Sequence, residues 1–480
     1  MTSLWTSDVE IPNTKAISQD LEVDVAVIGA GMAGVLTAYF LQQEGRQVAV
    51  FEANRIGAGQ TSGTTAKITS QHGLIYDRLI RQLGMGAAQQ YAAANQRAVE
   101  DYKELIGRLG IDCDLEEQNA YLYATKDKKE LEKEVQAALS LGLPASLTEK
   151  TTLPFPTVGA VCFKNQAQFH PLKFLKAISR QLTIYEKSRV EKVEGRVLTL
   201  GRHTVSARHV VFATHYPFVN APGYYFSRMY QSRAYSMALR GATPPDGMYV
   251  DTALEGLSLR AYGDLAILCG EDHNTGENRE GGRYEALRRR AAELYPGCEE
   301  VARWSAQDCM TSDGVPYIGR YSSDTRHWYV ATGFGKWGMS SSMVAARILT
   351  GLITGKPDEN GDVFSPQRFA LRDVPSMVEE GGRAVKGLTL ELFSIPRAQA
   401  RDLPAGHGGV VELNGETVGV YKHEDGTIFA VQTRCPHLGC QLEWNPDERS
   451  WDCPCHGSRF DYAGRWINGP AQQDLPSVHL

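Results

Sequence analysis

The sequence predicts an α/β domain with an inserted antiparallel sheet, followed by a small all-β domain. Three observations lead there. An apolar strand, a glycine turn and a helix start follow one another in V-D-V-A-V-I-G-A-G-M-A-G, from Val23 to Gly34. Residues 223–273 alternate aromatic and polar side chains at period two, the mark of an antiparallel sheet with one open face. From about Gly387 short strands alternate with turn residues, and that stretch carries paired Cys and His.

Composition narrows the class. At 480 residues the chain should hold two or three domains. Charged residues make up 22% and the net charge is −6, which gives no reason to expect nucleic acid as a partner. No apolar run reaches membrane-span length. The start, MTSLWTSDVEIPNTK, lacks the basic and apolar regions of a signal peptide, so a cytoplasmic location is expected. Of nine Cys, four cluster near the C-terminus; Cys113, Cys162, Cys269, Cys298 and Cys309 are scattered and read as small buried hydrophobes.

Residues 1–20 are polar and aperiodic, an arm that orders on contact. The strand–turn–helix of Val23–Gly34 continues at helical spacing through Leu36, Tyr39, Phe40 and Leu41, and Gly45 ends it. A second strand, 47–51, leads to Glu52. This is a Rossmann-like G-x-G-x-x-G unit with an acid about twenty residues on. Gly29 makes the tight turn, Gly31 admits a pyrophosphate, Gly34 allows close helix–strand packing, and Glu52 holds ribose hydroxyls. A glycine- and hydroxyl-rich loop follows, with Arg55, Thr61, Ser62, Thr65 and Lys67.

That loop, placed directly after the ribose acid, resembles the D-amino acid oxidase, glycine oxidase and sarcosine oxidase family of FAD enzymes. The resemblance implies FAD as the cofactor, with the loop wrapping the pyrophosphate. Helices are predicted over 86–109, 127–141 and 172–182. Val190 and Thr214 match the family's adenine-contacting valine and the end of its return strand beneath the flavin. The 223–273 sheet matches its substrate roof. Arg260, Tyr262 and His273 are candidate catalytic residues there, together with Lys67 and Lys336, Arg260 at a place where relatives put a carboxylate-binding arginine; a surface sheet arginine is the plainer reading. T-S-D-G-V-P-Y-I-G (311–319) and W-Y-V-A-T-G-F-G-K-W-G-M (328–339) match its second signature. There Gly333, Gly335, Trp337, Gly338 and Met339 would touch the flavin, with Lys336 adding positive charge beside a helix N-terminus.

Periodicity is lost over 355–386, and 375–386 reads as a linker between an oxidoreductase unit at 1–374 and a β domain at 387–480. Asn414-Gly415 and Asp425-Gly426 predict hairpin turns. The motifs C-P-H-L-G-C (from Cys435) and C-P-C-H-G-S (from Cys453) each offer a thiolate and an imidazole. Cys435 and Cys453 on one iron, His437 and His456 on the other, is the ligation of a Rieske [2Fe-2S] centre. Zinc is the rival, but zinc fingers group like ligands whereas these alternate. The motifs resemble the Rieske proteins of cytochrome bc-type complexes. That resemblance implies a disulfide between Cys440 and Cys455, and a sulfur-bonding hydroxyl at Ser458. Phe460 stands where those proteins carry a Tyr, which lowers the expected potential.

The expected function joins the two centres: hydride from an amine or amino acid to FAD, then single electrons through the cluster to an external carrier (ferredoxin, cytochrome or quinone-linked). A reductase fed in the opposite sense, and a relay without small-molecule turnover, are the alternatives. The 375–386 linker would let the small domain move between flavin and partner.

Overall fold

The computed structural model describes residues 3–253, 255–368, 403–413 and 416–479. The predicted linker, the strand expected from Gly387 and the Asn414-Gly415 turn lie outside these. Two large sheets and two small ones make the architecture.

The first large sheet has eight strands and is built around Leu21–Ile28, fully apolar at its inner end. That strand pairs in parallel with Val48–Phe51 on one side and His203–Phe212 on the other, and Trp328–Thr332 extends the parallel run. Val48–Phe51 and Trp328–Thr332 are near-continuous apolar runs, as strands buried on both faces are, whereas His203–Phe212 is apolar and buried on both faces only at its Val210–Phe212 end. Helix Met32–Gln43 packs on helix Gly338–Thr354 over one face. Both helices begin at the carboxyl end of the sheet, where doubly wound folds bind ligands.

The second sheet has nine strands, ordered Glu299–Thr311, Met229–Arg240, Leu265–Asn274, Ser258–Tyr262, Met248–Asp251, Glu116–Ala124, Gly159–Gln168 and Lys67–Ile68, with Ala145–Thr148 pairing off the path. The alternation over 223–273 foretold its middle strands. The flanking ones at Glu116–Ala124, Gly159–Gln168 and Glu299–Thr311 come from distant sequence, so local pattern did not reveal that they join. Helices stand at Met85–Leu109, Lys129–Ser140 and Pro171–Ser179, within a few residues of expectation. The N-terminal arm packs against the larger unit: Trp5 is fully buried and donates its indole N–H to the Thr64 carbonyl at 2.6 Å.

The C-terminal unit has a three-stranded sheet (Gly408–Leu413, Glu416–Lys422, Ile428–Gln432) and a four-stranded one (Glu443–Asn445, Ser450–Asp452, Arg459–Asp461, Trp466–Asn468). Asp425-Gly426 turns the second hairpin as expected, with Gly426 at φ +88°. This unit sits against the Met229–Arg240 and Glu299–Thr311 strands, at the edge of the nine-stranded sheet. Among the described residues no helix is long and apolar enough to cross a membrane.

Candidate functional site

The glycine turn is built as its spacing requires. Gly29 has φ +102°, and a Cβ there would meet the Ala213 carbonyl oxygen at 2.5 Å. A Cβ on Gly34 would overlap the Gly29 carbonyl. Gly31 caps helix Met32–Gln43 without a side chain of its own, which leaves room for a phosphate to approach the helix N-terminus beside Thr61. Glu52 accepts N–H from Ala30 and Asn54, both at 2.8 Å; burial nevertheless pushes its carboxyl up.

The loop after Glu52 is held from several sides. Thr61 Oγ1 accepts the Met32 N–H at 3.1 Å, so it closes over the turn. Ser62 bonds within the loop, to Gly59 O at 2.9 Å. Arg55 reaches instead to the Ile11 carbonyl at 2.6 Å and clamps the N-terminal arm. Val190 is buried. Thr214 turns its hydroxyl onto Tyr216 O at 2.8 Å.

The second signature closes the other side of the recess. Gly333 and Gly335 have φ +72° and +56°, and a Cβ on Gly333 would overlap Thr311. Trp337 stacks on buried His72, centroids 4.7 Å apart. Gly338 begins the second helix, and Met339 accepts from Tyr102 through its carbonyl at 3.0 Å. Lys336 keeps 36% of its side chain open while reaching Asp272 and Asp308 of the nine-stranded sheet, which marks a recess between this turn and that sheet. Burial pulls the Lys336 ammonium down, but Asp272 at 3.1 Å and Asp308 at 3.6 Å overcome that and hold it charged. Burial pushes Asp308 up to about 6.

Lys67 has no carboxylate partner among the described residues; its Nζ donates to Ser258 Oγ at 2.5 Å and Thr65 Oγ1 at 3.2 Å. Burial pulls its amine down to about 7. Ser258, Cys269 and Ser236 are paired across three strands and therefore line one face of the sheet.

The remaining roof candidates divide. Arg260 is 1% exposed, so the surface reading fails: Nη1 donates to the Thr65 and Ala66 carbonyls at 2.8 Å each, and Nη2 is buried without a hydrogen-bond partner. Tyr262 is turned onto Asp114 at 2.7 Å and packs on Trp5. His273 pairs in register with Arg233 and stacks on Tyr235, which puts it on the opposite face, away from Lys67 and Lys336. Burial, with Arg283 and Arg233, pulls its imidazole down to about 4. Cys309 meets Met229 Sδ at 3.5 Å, and burial pushes its thiol up to about 12.

The cluster motif forms two matching loops. In the first, Gly439 N–H bonds Cys435 O and Cys435 N–H bonds Cys440 O, both at 2.9 Å. In the second, Gly457 N–H bonds Cys453 O at 3.0 Å and Cys453 N–H bonds Ser458 O at 2.8 Å. The Cys435 and Cys453 side chains are both buried and neighbour one another. The His437 and His456 rings stand 4.9 Å apart, nearly perpendicular, and Nδ1 of each is buried with no hydrogen-bond partner. Two sulfurs and two orphaned ring nitrogens converging on one place fit a Rieske cluster. Cys440 and Cys455 form the disulfide across the loops. Ser458 bonds the Cys435 sulfur while its oxygen accepts Ala471 N–H at 3.1 Å, and Phe460 is fully buried.

The loops face the larger unit. His437 Nε2 meets Asn220 Oδ1 at 2.7 Å, and Phe226 stands edge-on to both histidine rings. Gln231 donates to His456 O and Gln307 to Gly457 O, each at 2.8 Å. Below them Arg233 bonds Glu448 at 2.8 and 2.6 Å, and Arg459 bonds the same carboxylate at 2.7 Å. Asn220, Phe226, Gln231, Arg233, Gln307 and Glu448 escaped sequence reasoning, because nothing local distinguishes them from ordinary sheet and loop residues.

Comparison with known proteins agrees with this geometry. The family model "FAD dependent oxidoreductase" matches residues 24–352, and "Rieske [2Fe-2S] domain" matches residues 394–479. The Bacillus subtilis (strain 168) protein YhfW, named for a Rieske 2Fe-2S iron-sulfur centre, is 37% identical over 494 residues, covering 99% of this chain and 97% of its own. The cytochrome b6-f complex iron-sulfur subunit 2 of Trichormus variabilis (strain ATCC 29413 / PCC 7937) is 33% identical over 121 residues, 25% of this chain and 67% of that one. Glycine oxidase from Geobacillus kaustophilus shares the fold at a TM-score of 0.62, with 21% identity, over 73% of this chain and 100% of that one.

Proposed function

We propose, from the premise that the chain belongs to the FAD dependent oxidoreductase family and carries a Rieske domain, that it dehydrogenates an amine or amino acid and releases the electrons singly. When bound, FAD supplies a two-electron acceptor for a C–H bond next to nitrogen, and the cluster supplies the one-electron step to an external carrier. The observation that carries the reading is positional. The sheet roofing the Lys67–Lys336 recess carries the cluster loops on its reverse face.

The protein's own part is positioning and charge. Gly29, Gly31 and the helix that begins at Met32 would seat the pyrophosphate, and Glu52 the ribose. Lys336 and the N-terminus of helix Gly338–Thr354 favour negative charge in the recess. Arg260 pins the Thr65–Ala66 backbone, which fixes Lys67. Lys67, lowered to about 7 and oriented by Ser258 and Thr65, can hold or give up a proton at neutral pH. It would keep an amine substrate in its free-base form.

An anaerobic stopped-flow series against secondary amines and amino acids tests this, following flavin absorbance and the reduced-cluster EPR signal together. Flavin bleaching followed by cluster reduction supports the proposal. If only a reduced carrier fills the cluster, and no amine bleaches the flavin, the dehydrogenase reading is wrong.

A further inference from the structure

The last two strands of the roof, Glu299–Thr311 at the edge and Met229–Arg240 beside it, divide their side chains between two neighbours. Along Met229–Arg240, Gln231 and Arg233 face the Rieske unit; along Glu299–Thr311, Ser305 and Gln307 do so. The intervening residues face the recess. Asp308 pairs with Lys336, and the Ala306 methyl sits 3.5 Å from the Cβ position of Gly63 in the cofactor loop. Side chains alternate across a strand, and packed layers stand about 10 Å apart, so one sheet thickness separates the two sides.

The contact through this partition is close and polar. Gln231 lies between Gln307, which bonds its Oε1, and the His456 carbonyl. Gly457 has φ +70°, and a Cβ there would meet Gln231 Cβ at 2.8 Å, so only glycine lets the loop come this near. The same holds at Gly276 against Pro454, 2.6 Å. Arg233 and Glu448, 2% and 9% exposed, form a buried ion pair between the two units, and Ser305 adds a bond to Glu448 at 2.9 Å. Undocking would strip partners from charges that are otherwise sealed from water, which is costly.

We infer that the cluster exchanges electrons with the flavin in this docked position, through the roof sheet. In this arrangement Gln231 is the positioning residue that holds the His456 loop against the sheet, and turnover needs no excursion of the small domain. The inference rests on the proposed passage of electrons between the two centres within one chain. Each crossing takes one electron from reduced flavin and adds one to the oxidised cluster. The cluster gives it to an external one-electron oxidant; two rounds restore both centres, and the flavin's proton leaves to solvent.

A staple tests it. An ideal Cβ on Gly281 lies 3.4 Å from Pro446 Cβ, close to the separation of bonded cysteines, so Gly281→Cys with Pro446→Cys should lock the units together. Laser-flash photolysis with 5-deazariboflavin, on full-length holoenzyme, injects single electrons without needing the substrate. The expected result is the same flavin–cluster exchange rate, and the same steady rate of ferricyanide reduction by photoreduced enzyme, in the stapled protein and its Ser/Ser control. A fall of about tenfold on stapling overturns the inference, since it would show that movement is required. Gln231→Leu should slow exchange by about tenfold while leaving the cluster's EPR g values unchanged. A packing role alone would lower thermal stability and leave the flash rate where it was. Absence of exchange in the unmodified enzyme would instead sink the proposed function.

Discussion

Asn220 Oδ1 and His437 Nε2 stand 2.7 Å apart, joining a loop of the oxidoreductase unit to a histidine of the cluster motif. With Nδ1 given to iron, Nε2 carries the proton and donates. The bond adds electron density to the ring and so favours the oxidised cluster. Asn220→Ala should raise the cluster potential, by the equivalent of about 1 kcal/mol for one hydrogen bond. An EPR-monitored redox titration reads it; a fall in potential would contradict the assignment.

Ser458 acts in the other sense. Its hydroxyl bonds the Cys435 sulfur and stabilises the more negative, reduced state. Ser458→Ala should lower the potential by about 40 mV, about 1 kcal/mol for a one-electron couple. Phe460→Tyr, which adds a hydroxyl at a fully buried place, should raise it. The same titration checks both.

Glu448 makes docking sensitive to acid. Burial pushes its carboxyl up, but Arg233 and Arg459 more than offset this and hold it below the usual range. The docked state therefore binds fewer protons than the separated one. Arg459 belongs to the same unit as Glu448 and stays with it on separation, so the docking share comes from Arg233, and it is lost as pH falls through the lowered carboxyl range. Trp466, under the Arg189 guanidinium at 3.9 Å, offers a fluorescence report of separation. Glu448→Ala leaves two buried arginines without that partner and should cost about 3–5 kcal/mol. Thermal melts would detect this.

Lys67 sets a pH limb. With its amine lowered to about 7 by burial, the proton is lost near neutrality, and amine-driven flavin reduction should rise through that range. Lys67→Met should remove the limb. Because the unfolded amine titrates near 10.4, the folded protein also gains stability from this group as pH rises from about 7 to about 10. Rates of anaerobic bleaching across pH decide the first point, and denaturant titrations the second.

Much of the fold and of both cofactor sites was legible because the chemistry there is local. A glycine turn needs its glycines within six residues, and each cluster loop closes on itself through two backbone bonds. The roof was less legible. Alternation announced a sheet, but the face each residue takes depends on hairpin register. A bulge between Arg233 and Tyr235 shifts that register, so Arg260 and His273, alike in the sequence, end on opposite sides. Arg233 and Glu448 are separated by 215 positions, and only folding brings them together.

The strand Met229–Arg240 serves two masters at alternate positions, and this limits how the protein can change. Inserting or deleting one residue there would turn Gln231 and Arg233 toward the recess and their neighbours toward the cluster. Both centres would be lost at once. Variation in this strand is therefore confined to substitutions. Differences in length among related chains should collect in the loops on either side of it, so that the redox pair is inherited as a unit.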